Sequence, residues 1–322
     1  MIDIETIKKH IGDVVRETDF PFLGEKKVGK VRDAYAKPDR ITLVSTDRHS
    51  SFDRIIAHIP FKGEVLNRTS LFWFDKTKDI IQNHVISSPD PNVVMVKKCK
   101  VIPVEMVVRG YITGVTSTSL WTHYAAGERD FGDFVLPDGM KKNEKLIEPV
   151  LTPTTKSEDH DRPLTSKKIL EEGIVEKDLW EKMADTALKL FRRGQEIAFR
   201  QGLILVDTKY EFGLDEKGEL TLIDEIHTPD SSRWWKAVSY EGRFNAGEEP
   251  EYFDKEFLRL WFKDHSDPYK DKVLPPAPPE LVAELSRRYI EIYEMLTGKN
   301  FDHDLSQTTL ERIAKNLKNY VA

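Results

Sequence analysis

At 322 residues the chain is long enough for roughly two domains and can bury about three quarters of its extended surface, so it needs no staples to fold. Its 39% apolar and 32% charged residues are those of a globular protein, and 49 basic against 55 acidic side chains, a net charge of −6, exclude a general nucleic-acid binder. A single cysteine, Cys99, excludes a disulfide framework and a cysteine zinc cluster, and no apolar run approaches the ~18 residues of a membrane span. The N-terminal stretch MIDIETIKKHIGDVV lacks an apolar signal core, which makes the cytoplasm the expected location.

In chain order, residues 4–15 carry Ile4, Ile7, Ile11, Val14 and Val15 at near-helical spacing and predict a short packing helix. Val28, Val31 and Tyr35 suit a strand, Pro38-Asp39-Arg40 a turn and residues 41–44 a second strand, which together give an early hairpin. After Pro60 the pattern turns helical, with Val65, Leu66, Thr69, Leu71, Phe72 and Phe74 on a broad apolar surface. Residues 93–96 and 101–108 are strand-like, so the first hundred or so residues predict a mostly antiparallel sheet with helices on one side, an α+β arrangement. Residues 127–163 are poor in periodic apolar positions and predict loop. A long helix is expected over 178–200, capped by Asp178 and stopped by Gly202. Residues 203–206 predict a buried strand, 215–218 a turn and 221–223 the return strand. The prolines of 275–279 predict an extended connector, followed by a helix over 280–296 that Gly298 ends.

The hairpin of residues 203–225 is the first candidate for chemistry. Alternation along a strand puts Asp207, Lys209 and Glu211 on one face, and the return strand delivers Asp224 and Glu225 nearby. Carboxylates gathered around one lysine suit a divalent cation with phosphate, since magnesium takes one or two protein carboxylates and completes its shell with phosphate oxygens and water. The alternative is a solvated polar face, which the apolar flanks LILV and LTLI weaken.

GEKKVGK approaches a P-loop, but Val31 stands where Ser or Thr must hold the metal, and an extended segment follows where a helix should. Gly29, Lys30 and Arg32 instead fit a glycine-containing hairpin over a triphosphate, or an ordinary basic hairpin. Arg109, read at a strand end before Gly110 and Gly114, suits anion binding, and residues 116–119 add donors. LTPTTKSEDHD, with Lys156, His160 and Asp161, is either a catalytic lid or a solvated turn. Asp230, Ser231, Ser232 and Arg233 concentrate polar groups straight after the acidic hairpin. The nine histidines show no ligand spacing, and HExxH, GxGxxG and GxSxG patterns are absent from the sequence.

Taken together, GKVRDAY, STDRHSSFDRIIAHIPFKGEVLNRTS, VEMVVRGYITG, LTPTTKSEDHD, GLILVDTKYEFG and IDEIHTPDSSRWW resemble the phosphoribosylaminoimidazole-succinocarboxamide synthase (SAICAR synthetase) family in its longer form, from about residue 24 to residue 240. The resemblance implies a two-part α+β fold, kinase-like then ATP-grasp-like, with the active site between the parts. Its expected division is 1–108 for the nucleotide-covering part and 109–322 for the part with the metal and substrate site and the C-terminal helices. It also implies an ATP- and magnesium-dependent ligase of purine synthesis that joins L-aspartate to the carboxylate of CAIR and releases ADP and phosphate.

Carried over by position, Gly29, Lys30 and Arg32 cover ATP, Glu105 borders the adenosine, and Lys209 approaches the phosphates. Glu211 and Asp224 hold magnesium, while Arg109 and Arg233 bind CAIR. Asp47, Arg48, Ser51 and Lys62 line the CAIR or aspartate pocket with Asp230 and Ser231, and Lys156 and Asp161 belong to the active-site loop, so that Lys156, Asp161, Lys209 and Arg233 are the expected catalytic residues. Val115 stands where the family commonly shows Ser or Thr, which moves a phosphate contact to Thr116 or Ser117. The Lys156-to-Asp161 spacing is one residue short of the more familiar form. Small-molecule substrates are the expected partners, without nucleic acid or membrane, for a monomer or small homo-oligomer. Two rival readings stay open: a phosphotransferase using the same ATP site on another acceptor, and a nucleotide-binding regulator without turnover.

Overall fold

A computed structural model describes every residue except Met1, Asp53, Ser117, 157–161, Asp254 and Ala322. The expected site residues Ser117 and Asp161 therefore lie outside the described residues, as does His160.

The chain opens with α1 (Ile4–Lys9), where the Asp3 carboxylate accepts the Thr6 N–H at 2.9 Å. It passes into a 3₁₀ turn at His10–Gly12, so the helix expected over 4–15 ends early. The run read as one strand from Val28 to Tyr35 is broken into β1 (Glu25–Val28) and β2 (Arg32–Ala36). At the turn between them Gly29 N–H donates to Arg32 O at 2.8 Å, and a Cβ on Gly29 would meet that oxygen at the same distance. Then come β3 (Arg40–Ser45), the short ribbon of β4 (Arg48–Ser51) and β5 (Arg54–His58), α2 (Lys62–Thr77), β6 (Val85–Asp90) and β7 (Val93–Lys97). Among the described residues the first sheet has the antiparallel order β1-β2-β3-β7-β6.

The second sheet begins at β8 (Lys100–Ile112). The boundary expected after residue 108 falls inside this strand, and Arg109 and Gly110 sit within it rather than after it. Next are α3 (Leu120–Ala125), β9 (Glu144–Leu151), β10 (Thr154–Thr155), α4 (Ser166–Glu171), α5 (Lys177–Arg200), β11 (Leu203–Leu214), β12 (Leu220–Ile223) and β13 (Ser232–Lys236). Residues 127–163, expected as loop, thus contain two strands paired to β8. β11 is far longer than the expected 203–206, because it is the central strand, with β8 on one side and β12 and β13 on the other. The remaining helices are α6 (Ala237–Ala246), α7 (Glu256–His265), α8 (Pro279–Thr297) and α9 (Thr309–Val321).

The amphipathic face of α5 buries Trp180, Met183, Ala187, Leu190 and Phe191 against the second sheet, joined in one core by Val104, Met106, Val108, Leu205 and Tyr210. Each of the larger aliphatic and Phe side chains contributes about 1.5–3 kcal/mol on burial, and Ala187 less. Glu176 occupies the N-cap position of α5, not the expected Asp178, which lies inside the helix. α8 packs on α2 in a second core with Leu66, Leu285 and Tyr289, and Gly298 ends it in a left-handed conformation at φ +68°. The last helix returns to the first sheet. There buried Arg312 donates to Glu64 Oε2 at 2.7 Å and to Asp90 Oδ2 at 3.2 Å, tying the C-terminal segment to α2 and β6.

Candidate active site

The pleat of β11 does what its spacing predicts. Asp207, Lys209 and Glu211 share a face, and the register sets Asp207 opposite Arg109 on β8 and Arg233 on β13, with Glu211 opposite Glu105 and Ile223. Lys209 Nζ lies 3.2 Å from Glu105 Oε1, 2.6 Å from Glu211 Oε1 and 3.8 Å from Asp224 Oδ2. Lys156 pairs with the other oxygen of Glu211. The turn that starts β2 brings in Arg32, whose guanidinium donates to Asp224 Oδ1 at 2.9 Å and Glu225 Oε2 at 2.6 Å. Acids from two strands, β8 and β11, and from the loop after β12 therefore meet under the Gly29 turn. Burial opposes it, but Arg32 and then Lys209 hold the Asp224 carboxyl down to about 2. Burial likewise opposes the charge of Lys209, and Asp224 and Glu105 still raise it. Lys30 is exposed at the turn itself.

Two residues back along β11, roughly 7 Å at the usual rise per residue, Asp207 is flanked by two guanidiniums. Arg233 pairs with it directly, and Arg109 Nη1 approaches it at 3.5 Å. Arg109 Nε also donates to Thr152 Oγ1 at 2.7 Å. Gly114, at φ +101°, lets the 114–119 loop approach, since a Cβ there would lie 2.5 Å from Ser119 Cβ and 3.3 Å from Arg233 Nη2. Thr116 sits half-buried in that loop, its carbonyl accepting the Ser119 N–H at 3.1 Å.

A third cluster surrounds Asp230. Its carboxylate takes Lys62 Nζ at 3.1 Å, Tyr289 Oη at 3.3 Å and Lys255 Nζ at 3.7 Å. Burial opposes it, but Lys255 and Lys62 hold Asp230 far below the usual carboxylate range. Burial pushes Lys255 down to about 8, with Arg259 and Lys62 adding to the fall and Asp230 resisting it. Arg259 Nε donates to Ser51 Oγ at 3.2 Å. His49 is fully buried beside these groups with both ring nitrogens lacking a hydrogen-bond partner, and burial keeps it neutral. Thr228 Oγ1 donates to Glu225 Oε2 at 2.8 Å and accepts the Asp230 N–H at 3.2 Å, linking this cluster to the acids.

A family profile described as SAICAR synthetase matches residues 25–276. The phosphoribosylaminoimidazole-succinocarboxamide synthase of Legionella pneumophila (strain Lens) is 55% identical over 306 residues, covering 95% of this chain and 98% of its own length. The chain belongs to the SAICAR synthetase family. It is an ATP-dependent ligase of purine biosynthesis. Among solved structures, the Saccharomyces cerevisiae SAICAR synthase complexed with SAICAR superposes with a TM-score of 0.78 at 33% identity, covering 90% of this chain and all of that one. A SAICAR synthetase in complex with ADP gives 0.66 at 25% identity, covering 87% of this chain and 100% of its own. These relatives carry the α+β fold expected from the sequence, and nothing among them supports the phosphotransferase alternative.

Within this ligase the expected site residues fall into two groups. Lys156, Lys209, Glu211, Asp224, Arg32 and Glu105 converge, as do Arg109 with Arg233 and Lys62 with Asp230. Asp47 and Arg48 are held by bonds to the chain around them. Asp47 accepts the Val15 N–H at 2.7 Å and the Gly63 N–H at 2.9 Å, so it caps the start of α2, and burial raises it to about 6 against those two bonds. Arg48 donates to Arg16 O, Gly29 O and Asp33 Oδ1 at 2.7–2.9 Å, bracing the Gly29 turn from below. Ser231 Oγ accepts the Thr228 N–H at 3.2 Å within its own loop. Sequence reasoning missed His49, Lys255, Arg259 and Tyr289. The motif FDKEFLR did carry a signal, two cations four residues apart before an apolar run, but it named no partner.

Proposed function

We propose that this ligase joins L-aspartate to the carboxylate of CAIR, with the three clusters dividing the reactants among them. The observation that carries this reading is the convergence of Glu105, Glu211 and Asp224 on Lys209, with Arg109 and Arg233 next along the same strand. Lys30, Arg32 and Lys209 hold the ATP phosphates. Glu211 and Asp224 are hard oxygen donors bridged by a single ammonium, a pair that fits magnesium, which needs only one or two carboxylates when phosphates complete its shell. Among the described residues no group of three or more His, Cys, Asp or Glu is placed to hold a metal by itself. When bound, magnesium would neutralise charge on the phosphates.

Arg109 and Arg233, with Thr116 and the donors of its loop, hold the sugar phosphate of CAIR. Lys62, Lys255, Arg259 and Ser51 hold the carboxylates of aspartate. A carboxylate is a poor acyl donor because its leaving group is oxide. A CAIR carboxylate oxygen therefore attacks the γ-phosphorus and ADP leaves. The aspartate amine then attacks the acyl carbon, phosphate departs with that oxygen, and the nitrogen gives up its proton. The chain supplies position and charge compensation rather than a covalent nucleophile. Gly29, held by Arg48 beneath it, keeps the turn over the phosphates, and Lys156 covers the reacting carboxylate. The two sheets serve as the two parts of the machine, the first covering nucleotide and the second carrying metal and substrates. We propose the cytoplasm as its location and a monomer or small homo-oligomer as its state. Among the described residues no helix is long and apolar enough to cross a membrane.

An ADP-release assay that omits one substrate at a time tests this. Release is expected to need both CAIR and aspartate. Stoichiometric, aspartate-independent turnover would restore the phosphotransferase, and ATP binding without turnover would restore the regulator.

A further inference from the structure

His227 makes none of the charged contacts above, yet it is fully buried in the loop between Glu225 and Thr228. Its φ is +50°, and that of Asp224 is +64°, left-handed values that are uncommon for residues with side chains and that cluster where function requires them. Between these two positions the chain turns from the acids around Lys209 toward the cations around Asp230. Three features fix the imidazole. Its Nε2 lies 2.5 Å from Tyr210 Oη. Its ring meets Trp73 edge to face with centroids 4.7 Å apart. Gly194, within α5, leaves room for it, because a Cβ there would sit 2.4 Å from His227 Cε1.

Tyr210 stands on β11 between Lys209 and Glu211, so alternation sends its side chain to the opposite face of the sheet. One three-residue stretch thus presents the reactive charges above and the anchor below. Nδ1 of His227 lacks a hydrogen-bond partner, an arrangement that costs stability in a dry pocket. An apolar residue would fill the space without that cost. Burial holds the imidazole down to about 3 and lifts the Tyr210 phenol well above its usual value, so both are neutral and share one hydrogen bond.

We propose that Tyr210 and His227 are positioning residues whose hydroxyl–imidazole bond locks the left-handed 224–227 turn, keeping Asp224 and Glu225 in register with Asp230. The inference rests on the function proposed above and deepens it, for it couples the magnesium–nucleotide cluster to the aspartate cluster. Tyr210→Phe removes only the hydroxyl. Gly194→Ala displaces the ring while replacing a poor helix former with the best one.

The experiment measures, for wild type and both variants, the melting temperature, the magnesium concentration for half-maximal rate and the KM for L-aspartate. Both variants are expected to remain folded, with the two half-saturation values rising together by about fivefold, the effect of one lost neutral hydrogen bond. His227→Asn, which tolerates left-handed backbone but withdraws the ring from Tyr210, is expected to match them. Variants that melt earlier while both values stay at wild type would show a purely structural pair and overturn the inference, as would a change in only one value. Wild-type ADP release that needs no aspartate would sink the proposed function and this inference with it. Aspartate-dependent wild type with unmoved variants would sink the lock alone.

Discussion

The cluster around Lys209 and the cluster around Asp230 are opposites in charge built on one plan. In the first, Glu105, Glu211 and Asp224 surround an ammonium, and Arg32 and Lys156 close the ring. In the second, Lys62 and Lys255 surround a carboxylate, with Arg259 behind them. Each places the minority charge at the centre, where it keeps like charges together until a ligand arrives. The acid-rich side is suited to a cation with phosphates and the cation-rich side to a carboxylate. The difference shows in the side chains' acidities: Arg32 and Lys209 outweigh burial and hold Asp224 down to about 2, whereas burial carries Lys255 down to about 8 despite Asp230. A site that must assemble three anionic reactants separates the two tasks in space and joins them through Glu225 and Thr228.

The largest expected effect comes from neutralising the acid-rich side. Asp224→Asn suits the left-handed backbone at φ +64°, so the fold is expected to hold. Turnover is expected to drop roughly 10²–10³-fold, as for other groups that stabilise developing charge. Wild-type rates at saturating magnesium would remove Asp224 from the metal and dissolve the contrast between the clusters.

Arg233→Met is next. It leaves Asp207 with Arg109 alone, so kcat/KM for CAIR should fall by about 2–3 kcal/mol, roughly 30- to 150-fold. KM for aspartate should change far less, and an equal loss for both substrates would mean that the guanidinium pair does not belong to CAIR.

The cation-rich side is sharpened by pH. With Lys255 at about 8 in the folded protein against 10.5 when free, its charge is lost as pH rises through 8. kcat/KM for aspartate should therefore decline by about tenfold per unit above that point. Folding stability moves the other way. Between 8 and 10.5 the unfolded chain holds the proton that the folded one has released, so this group's unfavourable contribution disappears as pH rises. Lys255→Arg keeps its charge throughout and should abolish the limb. A limb that persists unchanged belongs to another group. The smallest effect is expected for Thr116→Val, which removes one neutral donor worth about 0.5–1.5 kcal/mol and should raise KM for CAIR by about tenfold at most. A larger loss would make Thr116 a principal phosphate contact.

Much of the acid-rich side was legible because its chemistry is local. Positions 207, 209 and 211 are two apart on a strand with apolar flanks, and Asp215–Gly218 turns the chain straight back. α5 was legible because its apolar positions recur every three to four residues over a long run. β9 was hidden because it is a polar edge strand: Pro149 interrupts it and Ile147 is exposed, so it shows no alternation. Asp47 and Arg48 show what the sequence could not: one caps α2 and the other braces the Gly29 turn, and nothing in a linear sequence says which way a side chain faces.

The sequence by itself determined the periodicities, the turn chemistry and the ordered set of motifs that marks the family, because these depend on neighbours within a few positions of one another. Tertiary structure alone decided which distant charges meet. Arg32 reaches Asp224 and Glu225 only because the first sheet closes over the second, and Lys255 reaches Asp230 only because α7 folds back beside α8. The strength of such pairings depends on distance and on the exclusion of water, and both are properties of the packed chain rather than of the order of its residues.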